Sequence, residues 1–264
     1  GEVNIEENTV TLMSIVATMV KPNVQITTNS LPPWNASQPY QVQFEATGGK
    51  PPYCWSFVED YNRKSSNTSM PLITGTSLFI HNDVTPFAAV ALPFSFPFHG
   101  KLFDSIYINY YGFITFEPQY LPGLYTTDEI SMLKMIGSIA PAFSQQYVYP
   151  SNTNDGIWFQ SDNEHAVIRW KASVSPYFTS STDDFALILY PDGRFEFSYG
   201  TMDNRGFIQL CYTGVSKGDD QNFDLHTEWN ANDLSGKSFR FIPPKVPAGL
   251  SLNKDGLLVV TQAD

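Results

Sequence analysis

Residues 185–199 read Phe185-Ala186-Leu187-Ile188-Leu189-Tyr190-Pro191-Asp192-Gly193-Arg194-Phe195-Glu196-Phe197-Ser198-Tyr199. Two apolar runs flank Asp192-Gly193, a pair that tolerates positive φ and predicts a two-residue β-hairpin turn. In the second run three aromatic residues alternate with Glu196 and Ser198, so the aromatic side chains share one face of a strand. The stretch therefore predicts two antiparallel strands with an aromatic core face.

The composition indicates that similar strands and turns occur along the rest of the chain. Phe occurs 20 times, Tyr 14 times and Trp 5 times among 264 residues, beside 19 Pro and 17 Gly. Aromatic residues favour strands, and Pro and Gly interrupt them at turns. Because the chain is also longer than the commonest domain, we expect an all-β protein built as two linked β-sandwiches.

Charge and hydropathy exclude some partners. The formal net charge is −11, and the 15 Lys and Arg residues form no basic run, so neither nucleic acid nor anionic lipid is an expected partner. Residues 8–20 are rich in β-branched side chains and predict a strand, with a helix left open. The apolar stretch is shorter than the roughly 20 residues of a membrane span, so we expect no membrane insertion here and a targeting segment elsewhere in a longer parent protein.

Residues 1–84 are predicted to form the first domain, with strands over 24–28, 40–46 and 53–58. Its signature is Ile26-Thr27-Thr28-Asn29-Ser30-Leu31-Pro32-Pro33, then Pro39-Tyr40, then Ala46-Thr47-Gly48-Gly49-Lys50-Pro51-Pro52-Tyr53-Cys54-Trp55-Ser56. This run resembles the immunoglobulin-like (cadherin-like) domain repeated in bacterial surface proteins. The resemblance implies a small immunoglobulin-like β-sandwich at 24–58, exposed on a cell surface.

The end of that family's pattern occurs far along the chain. Val246-Pro247-Ala248-Gly249-Leu250-Ser251-Leu252 and Asp255-Gly256-Leu257 match its Leu-Pro-x-Gly-Leu-x-Leu segment and glycine turn. Residues 243–264 therefore either complete the first domain, with the intervening residues inserted into it, or start another repeat. The short distance from this turn to residue 264 slightly favours another repeat, and insertion stays open because domain termini commonly lie close together.

Residues 85–242 are predicted to form the second domain. Its signature consists of Ala91-Leu92-Pro93-Phe94-Ser95-Phe96-Pro97-Phe98-His99-Gly100, then Tyr107-Ile108-Asn109-Tyr110-Tyr111-Gly112-Phe113-Ile114-Thr115-Phe116, then Ile139-Ala140-Pro141-Ala142-Phe143, then the hairpin quoted above. This order resembles a jelly-roll-like β-sandwich and, distantly, the nidogen-type extracellular domain. The resemblance implies a second extracellular β-sandwich.

Two further local features of the second domain are an expected helix and a departure from the nidogen-type pattern. One short helix is expected near 127–136, because Thr126 and Glu129 fit a capping box and Gly137 follows the apolar spacing. After Ile-Ala-Pro the nidogen-type pattern often carries Trp-x-Asp, where this chain has Phe143-Ser144-Gln145-Gln146. A role that the acid plays in relatives is therefore not transferred to this chain.

One segment fits a catalytic signature. Gly214-Val215-Ser216-Lys217-Gly218 matches the G-x-S-x-G nucleophile elbow, in which a strand-to-helix turn exposes the serine. No amphipathic helix pattern follows it, and His226 is the only later histidine, so we predict a glycine-rich loop and no enzyme activity. Glu117, Asp184 and Glu196 show no spacing typical of paired catalytic carboxylates and are predicted to be solvated.

No cofactor is expected apart from Ca²⁺. The four histidines lack the spacing of a zinc site and are predicted to be loop or surface residues. Calcium takes about six to eight oxygen ligands, and three acidic loops offer such oxygens without completing the EF-hand pattern. The candidate ligands are Asp155, Asp183, Asp184, Asp219 and Asp220.

Exposed aromatic side chains are the usual platform for sugars, because a flat ring covers the apolar face of a pyranose. Two short stretches could serve in this way. The candidate ligand-binding residues are Tyr110, Tyr111, Tyr147 and Tyr149.

The two cysteines, Cys54 and Cys211, alternate with the apolar residues around them, so both are predicted to point away from the main apolar strand faces. This phase favours two unpaired thiols. A disulfide between them stays open and would require Cα atoms within about 7 Å.

These observations lead to two hypotheses about function. The first is a non-catalytic extracellular or cell-surface adhesion module that contacts a surface protein or a polymer such as a polysaccharide. The alternative is a carbohydrate-binding or accessory domain of a larger secreted hydrolase, whose chemistry would lie in another part of the parent protein.

Overall fold

The structure is a computed structural model that describes residues 24–33, 40–49, 51–53, 55, 61–74, 77–78, 87–119, 129–144, 146, 148, 155–173, 182–203, 210–244, 250–252 and 255–260. The chain divides into two compact units. Unit 1 combines Gly1–Phe57 with Lys245–Asp264, and unit 2 is Val58–Pro244. Unit 2 is thus inserted within the sequence of unit 1. The strand predicted at 8–20 lies outside the described residues.

Unit 1 contains two small antiparallel sheets. Strand β1 (Gln25–Ile26) pairs with β3 (Ala46–Thr47), and β17 (Leu257–Val260) lies between β2 (Tyr40–Gln43) and β16 (Leu250–Leu252). The single strand predicted at 40–46 is therefore two strands that enter different sheets. Because four residues of β17 pair with β2, the C-terminal strands complete a sheet of unit 1.

Unit 2 is a β-sandwich of two six-stranded antiparallel sheets. Its strands are β4 (Asn62–Ser65), β5 (Phe87–Phe98), β6 (Lys101–Asn109), β7 (Phe113–Thr115), β8 (Ser138–Phe143), β9 (Gly156–Ser161), β10 (Ala166–Ser173), β11 (Thr182–Leu189), β12 (Phe195–Tyr199), β13 (Cys211–Ser216), β14 (Phe223–Glu228) and β15 (Ser238–Ile242), with helix α1 (Glu129–Lys134) and a 3₁₀ helix at Ala231–Leu234. Sheet A has the order β4–β15–β12–β11–β10–β9, and sheet B has the order β14–β13–β8–β7–β6–β5.

The strand order confirms the predicted all-β sandwich and specifies its connections. In sheet A the strands β9 to β12 are neighbours in chain order, and in sheet B the strands β5 to β8 are. Consecutive strands thus stay within one sheet as meanders, whereas a jelly roll joins its strands as Greek keys. The sandwich also begins earlier than the predicted boundary at residue 85, because β4 pairs with β15 along four residues.

Two buried hydrogen bonds cross the core between the sheets. The indole Nε1 of Trp170 on β10 donates to the carbonyl oxygen of Asn109 at 2.9 Å. The hydroxyl of Tyr199 on β12 donates to the carbonyl oxygen of Pro141 at 2.6 Å. Burial raises the pKa of Tyr199 well above its usual value, which keeps this hydroxyl a donor.

The signature stretch at 107–116 contains a tight turn between β6 and β7. The amide of Gly112, whose φ is 81°, donates to the carbonyl of Asn109 at 3.3 Å, and the Asn109 side chain accepts from the Tyr111 amide at 2.9 Å. A Cβ on Gly112 would lie 2.3 Å from the carbonyl oxygen of Ala142. The sequence did not reveal this turn, because Tyr110 and Tyr111 are buried although they belong to no strand.

The hairpin between β11 and β12 is confirmed, but its predicted two-residue turn is wrong. The Gly193 amide donates to the carbonyl of Tyr190 at 3.0 Å, and the Tyr190 amide donates to the carbonyl of Arg194 at 3.0 Å. The loop therefore has three residues. Pro191 supplies the negative φ of a first turn position, and only Gly193 has a positive φ, of 84°.

The outer face of sheet A is covered by an extended segment, residues 66–74, which we call the strap. The hydroxyl of Thr68 donates to the carboxylate of Glu196, and the hydroxyl of Ser198 donates to the Thr68 carbonyl at 3.3 Å. Further along, Nη1 of Arg169 donates to the carbonyl of Ile73 at 3.0 Å. Glu196 is consequently only 1% exposed, so the prediction that it is solvated is wrong.

A bidentate ion pair lies under the strap. Nε and Nη2 of Arg169 donate to the two carboxylate oxygens of Asp184 at 2.8 and 2.7 Å, and both side chains are largely buried. The prediction that Asp184 is solvated is therefore also wrong. Removal of either charge would leave the other charge buried without compensation, which is strongly destabilising.

We predict that Arg169→Leu lowers the free energy of unfolding by about 3 kcal/mol. Arg194→Leu is the matched control, because it breaks an Arg–Asp contact of 2.6 Å in which both side chains are more than one third exposed. The control should change stability by less than about 0.5 kcal/mol. Urea unfolding followed by tryptophan fluorescence measures both values, and equal losses would contradict the role given to the buried pair.

Candidate functional site

A pocket of about 240 Å³ lies at the end of sheet B where several strands and turns terminate. We call it the hairpin pocket. Its lining comes from the β5–β6 turn, the residues after β7, the residues after α1 and the β13–β14 turn. These residues are Phe98, His99, Lys101, Phe103, Phe116, Glu117, Gln119, Met135, Ile136, Gly137, Lys217 and Asp219.

The β5–β6 turn forms one side of the hairpin pocket. Phe98 pairs with Lys101, so the loop consists of two residues, His99 and Gly100, with φ values of 43° and 79°. Two consecutive positive φ values are typical of a type I′ turn, which matches the twist of the flanking strands. This tight connection fixes the position of Lys101 at the rim.

Phenylalanine rings form the base. The ring of Phe116 lies 4.1 Å from that of Phe98 and 4.6 Å from that of Phe103, between centroids. Phe98 and Phe116 are buried, whereas Phe103 is half-buried and Met135, which also lines the pocket, is 62% exposed. The pocket therefore combines a packed aromatic base with an apolar wall that is open to solvent.

The opposite side is formed where the β13–β14 turn meets the end of helix α1. The Lys134 carbonyl accepts from the Ser216 hydroxyl at 3.2 Å and from the Asp220 amide at 3.0 Å. The helix thus ends at Lys134 rather than at the predicted residue 136, because the Ile136 amide bonds to the carbonyl of Leu133 at 3.2 Å and tightens the last turn. Gly214, Val215 and Ser216 belong to β13, so the predicted loop at 214–218 begins only at Lys217.

Asp219 is held in place within this turn. Its carboxylate accepts from the amides of Gln221 and Asn222 at 3.1 and 2.8 Å, and the Nζ of Lys217 lies 3.8 Å away. Burial alone would raise the pKa of Asp219, but the hydrogen bonds from Asn222 and Gln221 and the charge of Lys217 outweigh it and hold the pKa below the ordinary value. Asp219 therefore presents a fixed carboxylate at the rim.

The contact between this turn and helix α1 requires glycine at position 218. Gly218 has a φ of 86°, and a Cβ there would lie 2.4 Å from the Gly137 amide nitrogen.

We predict that Gly218→Ala lowers the free energy of unfolding by clearly more than the roughly 1–2 kcal/mol of a left-handed alanine. Gly236→Ala is the control, because Gly236 has a φ of 71° with open space around it. Thermal unfolding of both variants measures the difference, and equal losses would contradict the steric argument.

The depressed pKa of Asp219 predicts an acid-dependent stability. A carboxyl with a lowered folded pKa stabilises the fold fully above its ordinary pKa of 3.8, and this contribution is lost as the pH falls through the lower folded value. We predict that Asp219→Asn makes stability less dependent on pH below about 4. Melting temperatures measured from pH 2 to pH 7 against the wild-type chain test this, and an unchanged acid slope would contradict it.

The candidate calcium ligands lie in three places of unit 2. Asp155 accepts from the Ser173 hydroxyl at 3.0 Å, and the buried Asp183 accepts from the Asp203 amide at 2.9 Å. Asp184 pairs with Arg169, as described above. Asp219 and Asp220 lie together in the β13–β14 turn. Among the described residues, no group of three or more His, Cys, Asp or Glu side chains could hold a metal ion.

Two of the four tyrosines predicted to form a sugar-binding platform are buried, and the other two lie outside the described residues. Tyr110 and Tyr111 are 3% and 5% exposed, with rings 3.8 Å apart, so they belong to the core and offer no open face to a sugar. The 109–112 turn folds these rings inward, so the prediction that they form an exposed platform is wrong. Tyr147 and Tyr149 lie outside the described residues.

The remaining candidate residues are the two cysteines and two of the histidines. Cys211 is fully buried in the core of unit 2, so the prediction that it points away from the apolar face is wrong. Cys54 lies outside the described residues, so two unpaired thiols stay the prediction, with a Cys54–Cys211 disulfide as the alternative. His165 and His226 lie 3.1 and 2.9 Å from Asp162 and Asp224.

A family match covers unit 2. The NIDO-related family model matches residues 60–235, which fall within Val58–Pro244 and span more than half of the chain. The chain therefore belongs to the NIDO-related family, and unit 2 is an extracellular type of domain. No curated protein and no solved structure matches the chain. The immunoglobulin-like resemblance of the first domain and the bacterial origin stay predictions.

The helices of the described part of the chain are short. None of its helices is both long enough and apolar enough to cross a bilayer.

Proposed function

We propose that the chain is a non-catalytic extracellular contact module, and that the hairpin pocket is where it holds a surface protein or a polymer. The observation that carries this proposal is the apolar wall of Phe103 and Met135, which stays open to solvent above a packed aromatic base. An open apolar wall next to charged residues is typical of binding surfaces rather than of a structural cavity.

The framework of the pocket is suited to binding. The base is fixed by ring packing, and the two sides are fixed by the type I′ turn and by the bonds to the Lys134 carbonyl. A site that is ordered before binding loses little conformational entropy when the ligand arrives. Only exposed side chains such as Lys101 and Met135 would need to become ordered.

The position of Ser216 supports a non-catalytic role. In a nucleophile elbow the serine hydroxyl is exposed at the tip of a strand-to-helix turn. Here Ser216 is buried, its hydroxyl donates to the Lys134 carbonyl, and it accepts from the Gly218 amide at 3.1 Å. Its hydrogen bonds are used to dock the turn on helix α1.

The proposal is tested by Met135→Glu, which places a charge on the open apolar wall without disturbing buried groups. Binding of the full chain is measured on surfaces coated with collagen, fibronectin, mucin or insoluble polysaccharide. We expect the wild-type chain to bind at least one coating and Met135→Glu to weaken that binding at least tenfold, since a charge there must be desolvated on contact.

Leu72→Glu is the matched control, because Leu72 is also strongly exposed, at 73%, but lies on the strap outside the pocket. It should leave binding within about twofold of wild type, a difference of less than about 0.5 kcal/mol. Failure of the wild-type chain to bind any coating, or equal effects of the two variants, would overturn the proposal. Release of peptides or reducing sugar ends from a coating would overturn its non-catalytic part.

A further inference from the structure

We propose that the hairpin pocket receives one uncharged sugar unit of a polysaccharide or glycan. This inference rests on the proposed contact function and names the chemistry of the ligand. It is carried by the charge balance at the rim, the mixture of hydrogen-bond donors and acceptors, and the size of the cavity.

The charges at the rim balance. Lys101 and Lys217 contribute two positive charges, and Glu117 and Asp219 contribute two negative charges. An anionic ligand would approach two carboxylates, and a cationic ligand would approach two ammonium groups. The net attraction for either is therefore small, and the rim favours a ligand without formal charge.

The same side chains suit hydroxyl groups. An ammonium group only donates hydrogen bonds, and an ionised carboxylate only accepts them, whereas a hydroxyl does both. Lys101 and Glu117 on one side, with the fixed carboxylate of Asp219 on the other, could pair with the donors and acceptors of several neighbouring hydroxyls. The amide of Gln119 adds one donor group and one acceptor.

The apolar surface and the volume limit the ligand further. Phe103 and Met135 offer an apolar wall for the C–H face of a sugar ring. The cavity of about 240 Å³ is below the roughly 300–1,000 Å³ of sites for drug-sized ligands. One ring-sized unit fits this space, with the rest of a polymer outside it.

The test is a glycan array probed with the full chain. The array carries neutral oligosaccharides, polyuronates, sulfated glycans and cationic chitosan oligomers. We expect selective binding to one or more neutral glycans, competed by the free neutral sugar. We also expect little loss of binding between low and high salt, because screening weakens binding that depends on net charge.

Pocket variants assign the binding to this site. Glu117→Gln and Lys101→Met should each weaken binding to the neutral glycan about tenfold, the effect of losing a charged hydrogen-bond partner. Glu164→Gln and Lys64→Met carry the same changes at exposed positions of unit 2 outside the pocket lining. These controls should leave binding unchanged.

The possible outcomes separate this inference from the proposed function. Binding of a protein coating that depends on Met135, with no neutral glycan bound, would overturn the sugar assignment and leave the contact function standing. Selective binding of polyuronates or sulfated glycans would overturn the sugar assignment in the same way. Glycan binding that none of the pocket variants affects would overturn both.

Discussion

The architecture of unit 2 depends on two buried side-chain donors that reach across the core from one sheet to the other, the Trp170 indole nitrogen and the Tyr199 hydroxyl. Contacts between phenylalanine rings tolerate small sliding motions, because dispersion and area burial have little directionality. A buried donor without a partner costs about 1–3 kcal/mol. Since each donor reaches one backbone carbonyl of sheet B, at Asn109 and Pro141, these bonds fix how the two sheets lie against one another.

Sheet A imposes a second constraint, because its central strands are buried on both faces. Its inner face is aromatic, whereas its outer face carries charged groups such as Glu196 and Arg169. The strap satisfies these groups with the Thr68 hydroxyl and the Ile73 carbonyl. The sandwich therefore requires the strap and strand β4 in addition to the two meanders. This agrees with the family match, which begins at residue 60, before β4.

The sequence predicted the class of fold and most strands of the sandwich, because aromatic alternation with Pro and Gly between runs is a local signal. It missed strand β4, whose four residues are all polar or charged, since an edge strand can be stabilised by backbone pairing without an apolar face. It also treated Glu196 and Asp184 as solvated. Alternation identifies the two faces of a strand but contains no information about a distant segment that covers one of them.

The hairpin pocket could not be predicted from sequence patterns, because its lining is contributed by separate turns that meet only where the strands of sheet B end. The sequence patterns single out Glu117 and Asp219 only separately, as a carboxylate and as a calcium ligand, and they give Lys101 no role. These residues form a site only because the fold brings them close together. Two acids and two lysines surround an apolar wall, so the charges of the pocket cancel on a chain with a formal net charge of −11. The acidic surface disfavours polyanions at long range, and the balanced rim gives an ion no net attraction at short range. The proposed uncharged sugar unit meets both conditions.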